Sequence, residues 1–236
     1  MPIIILPDGT HFDYKIRPLY LGVKKINKKQ AKENLLLLKS IADKSGLCFA
    51  LAFGTALGAV REHDFIEHDE DIDLWVHYSQ KDLLLSLLFE LRENGFEVAR
   101  WDRRGLLSII RKNEYIDFYI YYPDSRAENI MSCCGDPMPQ KYIENWTEIP
   151  FLGKAFYIAR DWEEMMLFRY GKDWRAPVAE TDFKVSRVRK SFYYIKDVIK
   201  GYLPDLIYFL IYRRLDEQKL LRYYSRLERF NTLKGQ

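Results

Sequence analysis

The sequence predicts an α+β fold: a mixed β-sheet flanked by helices, with a helical C-terminal extension. Three observations predict it. Apolar periodicity alternates helix, strand, helix, strand, helix over residues 27–95. Three apolar runs then follow with only tight turns between them, a meander rather than a doubly wound βαβ array. Hydrophobic residues make up 48% of the chain and charged residues 30%, which supports a packed core and excludes wholesale disorder.

Each element has its own signal. "IIILPDGTHFDY" places a Pro-Asp-Gly turn between two short extended runs, a hairpin. Asn27 caps a helix in which Ala31, Leu35, Leu38 and Ala42 share a face, and Gly46 ends it. "LCFALAF" reads as a buried strand broken by Gly54-Thr55, "TALGAVRE" as a short helix and "DIDLWVHY" as a strand. "SQKDLLLSLLFELRENG" reads as one helix capped by Ser79 and stopped by Gly95. "FEVARWD", "LLSIIRK" and "YIDFYIYYP" are the meander strands. Residues 123–147 read as irregular, "PFLGKAFYIA" as a hairpin, and "RDWEEMMLFRYG" as a helix closed by Gly171. From about 184 onward the chain reads as helical with a break near Gly201 and Pro204. The expected division is a catalytic domain over 1–183 and a basic, aromatic-rich extension over 184–236.

Net charge is only +3 but unevenly spread. Residues 184–236 hold 13 Lys+Arg against 5 Asp+Glu, while residues 1–183 hold 24 against 29. An acidic body with a basic tail implies a partner for the tail. Cys48, Cys133 and Cys134 are too few and too irregular for a disulfide framework or a zinc site, and Cys48 is expected in the core. No signal peptide is read at the N-terminus, and no window approaches the ~20 apolar residues of a membrane span. The expected compartment is the reducing cytoplasm.

The chemistry concentrates in "GTALGAVREHDFIEHDEDIDLWV". In a strand, residues i and i+2 point the same way, so Asp71 and Asp73 share a face. Two carboxylates roughly 6–7 Å apart among apolar neighbours repel and lose hydration. A divalent cation relieves both costs, and hard oxygen ligands favour Mg²⁺ or Mn²⁺. Asp117 is the only charge in "YIDFYIYY" and would complete the set if its strand lies beside that of Asp71 and Asp73. The bland alternative is that Asp71 and Asp73 are solvated acids at a strand mouth and that Asp117 pairs with an arginine. Gly54-Thr55 sits where a strand meets a helix, so free backbone N–H groups there suit a phosphate, with Arg61 adding a forked positive charge. Gly-Thr, then acids about 16 and 18 residues on, then a lone acid on a later strand, is the layout of the nucleotidyltransferase fold.

The stretch also resembles the LicD family, which includes the fukutin and fukutin-related proteins. Gly54, Thr55, Leu57, Gly58, Ala59, Val60 and Arg61 match the first half of its signature. Phe65, Ile66, Asp69, Asp71, Ile72 and Asp73 match the second, and "YGKDWRAP" (Tyr170 to Pro177) matches a later feature. Glu67-His68 and Glu70 depart from it. The resemblance implies Mg²⁺-dependent transfer of a substituted phosphate, of phosphocholine or polyol phosphate type, from a CDP-linked donor to a sugar hydroxyl of a cell-surface glycan. Asp71, Asp73 and Asp117 would be the metal ligands and catalytic residues, with Asp117 helping to activate the acceptor hydroxyl. Gly54, Thr55, Arg61, Asp69, His68 and Tyr170 would be the substrate- or phosphate-binding residues. His63 and His68 invite a catalytic role but are more often rim or hydrogen-bonding residues, and Tyr170 and Trp174 can equally be core.

Three rival readings make different demands on the sequence. A Ca²⁺ loop beginning at Asp69 fails, because position six is Leu74 and position twelve is Gln80. An Asp-x-Asp glycosyltransferase would place a nucleotide-binding βαβ region before the motif, where this chain has a helix and one strand. A non-catalytic glycan- or lipid-binding module would not need the intact acids. The tail, with Phe192, Tyr193, Tyr194, Tyr202, Tyr208, Phe209 and Tyr212 among its basic residues, suits the inner face of an anionic membrane, where a lipid-linked glycan acceptor would lie. The alternative is that Leu206, Ile207, Leu210 and Ile211 pack against the body. Nucleic acid is not an expected partner, because the acidic body would repel it.

Overall fold

The structure is a computed structural model and describes residues 1–19, 24–177 and 187–235. The N-terminal hairpin forms as expected, with β1 (Ile3–Ile5) antiparallel to β2 (His11–Asp13). In α1 (Lys28–Ser45) the Asn27 side chain accepts from the Gln30 N–H, and Gly46 closes the helix in the left-handed region. Ala31, Leu35, Leu38, Ile41 and Ala42 form its buried face.

One mixed sheet dominates. β3 (Ala50–Leu51) leads into α2 (Phe53–Arg61), and β4 (Ile72–His77) follows. After the helical segment come β5 (Glu97–Asp102), β6 (Leu106–Arg111) and β7 (Glu114–Pro123). Two further hairpins follow: β8 (Ile130–Cys133) with β9 (Asp136–Pro139), and β10 (Trp146–Phe151) with β11 (Lys154–Ala159). The strand order is β10-β11-β3-β4-β7-β6-β5, with β8 and β9 branching from β7. β4 runs parallel to β7 and β11 parallel to β3, while the other pairs are antiparallel. The fold is therefore α+β with a mixed sheet, as the element order predicts.

Four local expectations need correction. The strand expected over 47–53 shrinks to Ala50–Leu51, because Phe53 turns the chain into α2 with φ at +39°. The helix expected over 79–95 divides into α3 (Lys81–Ser86) and α4 (Leu88–Glu93). The Leu87 N–H bonds the Leu84 carbonyl at 3.3 Å, and this tight turn lets Leu84 and Leu85 as well as Leu88 and Leu91 reach the core. Ser79 is not its cap: Ser79 lies in a 3₁₀ turn, where its N–H meets the His77 ring. Residues 123–147, read as irregular, hold β8, β9 and the short α5 (Gln140–Glu144). Cys134 and Gly135 turn that hairpin with positive φ, and β8 is held by the end of β7. Cys48, expected in the core, is exposed.

Beyond α6 (Trp162–Tyr170), closed by Gly171, the chain forms α7 (Arg187–Tyr202) and α8 (Asp205–Lys234), with the break at Leu203-Pro204. The expected division between 183 and 184 and the side chain of Tyr193 lie outside the described residues. Much of α8 is integral to the body. The Tyr208 hydroxyl donates to buried Asp102, the Arg104 guanidinium lies 3.9 Å from the Tyr212 ring centre, and Tyr223 and Phe230 close on Phe168. The alternative set of tail anchors is corrected too, since Leu206, Ile207, Leu210 and Ile211 are all exposed and the tyrosines between them are buried. Burial and Arg104 act in opposite senses on Asp102, and Arg104, Tyr208 and Lys200 prevail, holding its pKa down to about 2. Among the described residues, no helix is long and apolar enough to cross a membrane.

Gly105 fixes the turn between β5 and β6. Its φ is +112°, its carbonyl accepts from the Ile120 N–H at 2.7 Å, and an added Cβ would strike the Ile120 carbonyl oxygen. Gly105→Ala should therefore cost about 2 kcal/mol or more, lowering Tm by several degrees. Gly153→Ala, at a similarly positive φ but in open space, should cost only about 1 kcal/mol. Thermal melts of both variants check this, and equal losses would contradict it.

Candidate active site

The site begins with strand register. Asp73 on β4 lies opposite Asp117 on β7, Asp117 opposite Ser108 on β6, and Ser108 opposite Arg100 on β5. Four polar side chains thus form one row across four adjacent strands. The row needs an irregularity to exist. In an unbroken β5, Val98 and Arg100 would point to the same face. A β-bulge lets Val98 pair with Ile109 while Arg100 pairs with Ser108, which puts the two on opposite faces. The Arg17 N–H bonds the carbonyl of the extra residue, Ala99, at 3.0 Å.

Along this row Arg100 donates to Asp117 Oδ2 at 2.7 Å and through Nε to Ser108 Oγ at 2.9 Å, while Ser108 donates to Asp117 Oδ1. Asp117 is only 3% exposed, so these bonds hold a buried carboxylate in place. Burial opposes the charge on Arg100, but Asp117 and Asp197 outweigh it and raise its pKa. The bland alternative named an arginine on Asp117, and the structure contains one. It contains the acid cluster as well: Asp71, Asp73 and Asp117 each offer an oxygen, and these oxygens all lie within 4.8 Å of one another.

The strand-to-helix turn at Gly54 and Thr55 builds the other wall. The Asp73 N–H donates to Thr55 Oγ1 at 2.9 Å, and the Asp73 carbonyl accepts from the Ala52 N–H at 3.0 Å. The Gly54 N–H and the Tyr119 hydroxyl reach the Asp73 carboxylate. Phe53 stacks edge-on against Tyr119 and Trp75, and the Arg169 guanidinium lies 4.4 Å from its ring centre. Of the groups expected to meet a phosphate at Gly54-Thr55, the Gly54 N–H is turned to the Asp73 carboxylate, and Thr55 meets Asp73 through its hydroxyl as an acceptor. Thr55 is fully buried, and both residues are engaged by Asp73. Gly54 is also where Asp69 approaches most closely, since any Cβ there would overlap the Asp69 carboxylate.

The acids carry the strain of this crowding. Burial, then Asp73, Asp117, Asp69 and Glu70, push Asp71 well above the usual carboxylate range. Burial, then Asp69 and Asp117, do the same to Asp73 against the hydrogen bonds it receives. Asp69 rises to about 6, mainly through burial, and its Oδ2 is buried without a hydrogen-bond partner. These are carboxylates that a cation would stabilise, and the three-oxygen set fits one.

The remaining expected residues scatter. Arg61 stands at the far end of α2, with its terminal nitrogens on the Trp174 carbonyl (3.5 Å) and Glu62 (2.6 Å), so the forked phosphate contact is not preformed. Tyr170 is close enough that Asp73, Asp69 and Arg61 act on its hydroxyl, which burial raises first. Trp174 is buried against Trp162. His68 and His63 are exposed on the loop before Asp69. Arg100, Ser108 and Tyr119 were not anticipated. Ser108 carries the signal that flagged Asp117, a lone polar residue in an apolar run, whereas Arg100 shares β5 with Glu97 and Asp102.

A family model described as LicD/FKTN/FKRP, nucleotidyltransferase domain, matches residues 46–161. That span contains the turn and all three clustered acids but neither Tyr170 nor the tail helices. No curated protein matches the chain. Among solved structures, the chain is similar to a lincosamide antibiotic adenylyltransferase, LnuA, with lincomycin bound: 10% identity, 75% of this chain and 98% of that one, TM-score 0.44. It is also similar to ANT(2″)-Ia in complex with adenylyl-2″-tobramycin: 17% identity, 86% and 98%, TM-score 0.43. A third is an antigenic nucleotidyltransferase-like protein from Paracoccidioides brasiliensis: 16% identity, 75% and 78%, TM-score 0.41.

Two substitutions should separate the acids. Every charge acting on Asp71 raises its pKa, so its ionised form destabilises the folded protein once pH exceeds the unfolded value, about 4. Asp71→Asn should raise the Tm of chelator-treated protein by a few degrees at pH 7, and the gain should shrink as pH falls towards 4. Asp117→Asn removes the partner of half-buried Arg100 and should cost about 2 kcal/mol at neutral pH. Calorimetric melts of both variants across pH check the opposite signs.

Proposed function

Residues 46–161 are a LicD-type nucleotidyltransferase domain, and from that premise we propose that the protein transfers a substituted phosphate from a CDP-linked donor to a sugar hydroxyl. The single observation that carries this reading is the convergence of Asp71, Asp73 and Asp117 beside the Gly54 turn. A transferring phosphate brings negative charge, and a site already crowded with carboxylates can accept it only together with a cation. Asp71, Asp73 and Asp117 would hold Mg²⁺ or Mn²⁺, and the ion would neutralise charge on the donor pyrophosphate.

The protein's own groups have separable tasks. Gly54, Thr55 and Tyr119 fix Asp73 through its backbone and its carboxylate. Arg100 and Ser108 bond both oxygens of Asp117, which favours a holding role over the proton-accepting role first expected of it. Tyr170, beside Asp73 and Asp69, borders the space where a donor or acceptor would lie. In the transfer the acceptor oxygen bonds the phosphorus that carries the alcohol group, the bond from that phosphorus to the bridging oxygen breaks to release CMP, and the hydroxyl proton passes to solvent. The acids also fit an Asp-x-Asp glycosyltransferase, but the domain match favours phosphate transfer.

Calorimetry with CDP-choline, CDP-ribitol, CDP-glycerol and UDP-glucose in the presence of Mg²⁺ should show binding of at least one CDP compound. Binding of UDP-glucose alone would overturn the donor assignment. With a matching glycan acceptor, CMP release should stop on chelation, and Asp71→Asn or Asp73→Asn should lower it about 100-fold or more. Near-normal turnover in either variant would remove the acids from the chemistry.

A further inference from the structure

The corner between α7 and α8 carries apolar side chains that the fold leaves in solvent. On α7, Phe192, Ile195, Ile199 and Tyr202 recur at three- and four-residue spacing along one stripe, with Ile195 53% and Ile199 55% exposed. In the first two turns of α8 only Tyr208 and Tyr212 are buried. Leu206 is 73% exposed and Leu210 60%, and Ile207, Phe209 and Ile211 are exposed with them. A set this dense is an interaction surface rather than ordinary scatter.

We propose that this corner docks in the interfacial plane of an anionic lipid bilayer. Charge selects the occupant. Residues 187–214 hold seven Lys+Arg against two Asp+Glu, so two copies meeting here would oppose like charges, whereas an anionic bilayer meets the opposite sign. Arg213 and Arg214 are exposed one turn beyond the apolar run. Shape agrees with this. The start of α8 is apolar on every side except the tyrosine line, and a bilayer can cover such a surface without a matched groove. The corner is also held firmly. Arg103 donates to the Lys200 and Leu203 carbonyls at 3.0 and 2.7 Å, pairs with Asp205, and lies 4.5 Å from the Tyr208 ring centre.

α7 reaches the site as well, since its Asp197 helps hold the charge on Arg100 beside Asp117. A docked corner would keep the acid cluster near the lipid headgroups, which suits an acceptor glycan carried on a lipid. In naming that acceptor the inference rests on the transfer reading above; the docking itself does not.

The full chain should be floated with vesicles of phosphatidylcholine, and with vesicles of about one part phosphatidylglycerol to three of phosphatidylcholine. Binding to the anionic vesicles should exceed binding to the neutral ones by roughly tenfold or more and should weaken as salt rises. The Ile195→Glu/Ile199→Glu and Leu206→Glu/Leu210→Glu double variants should each bind roughly tenfold more weakly. Both should keep the Tm and the circular dichroism of the parent chain, which shows that they fold. No vesicle binding, equal binding to both compositions, or unchanged binding by both variants would overturn the proposal. So would a doubled mass in light scattering without vesicles that the variants abolish, since the surface would then belong to a second copy. Vesicle binding needs no nucleotide, so a protein that floats as expected but never releases CMP upholds docking and sinks the transfer reading.

Discussion

The parallel pairing of β4 with β7, in the register that sets Asp73 against Asp117, is the constraint from which the site follows. Without it the two buried acids would lie on separate strands, each a local anomaly. With it they become a cluster whose mutual repulsion the protein must manage. Two devices manage it from opposite sides. Arg100 and Ser108 hold Asp117 from β5 and β6, and Gly54, Thr55 and Tyr119 hold Asp73 from the turn and from β7. For Asp71, just ahead of β4, burial, Asp73, Asp117, Asp69 and Glu70 all act in the same sense and disfavour its charge.

What the sequence revealed, and what it hid, divides along physical lines. Asp117 was legible because burying a lone carboxylate in an apolar strand is costly, and Asp71 and Asp73 because two acids on one strand face repel. The cost of a lone polar group would have flagged Ser108 as well, but not Arg100, whose strand also carries Glu97 and Asp102. The joint action of Ser108 and Arg100 was invisible because it depends on a bulge, and an extra residue in one strand has no periodicity of its own. The Gly-Thr turn was legible as a turn. Nothing local says that Asp73, eighteen residues on, would donate to the Thr55 hydroxyl and take up the Gly54 N–H. Residues 123–147 failed for a related reason: β8 and β9 are stabilised by the end of β7 and by α8, through contacts that no window of sequence contains.

The extension shows the same interplay of local pattern and tertiary demand. Its tyrosines were grouped by composition with its exposed apolar residues, yet the fold separates them. Tyr208 and Tyr212 go inward because their hydroxyls and ring faces meet Asp102, Lys200 and Arg104. The aliphatic residues between them have no polar handle to satisfy and remain outside. A tyrosine in a basic tail is thus as much a means of anchoring to an internal ion pair as a mark of an interface.

The parallel pairs also bear on how the molecule is made. β3 and β11 pair through Ala50 and Tyr157, and β4 meets β7 across the whole of the intervening helices and hairpin. Closing such distant segments costs chain entropy before any contact repays it. The acid cluster sits across one of these long-range pairings. In a partly folded chain its carboxylates remain apart and hydrated, with ordinary acidity and little hold on a cation. The capacity to bind metal therefore appears together with the finished topology, and an ion bound there would reinforce the long-range pairing rather than start it.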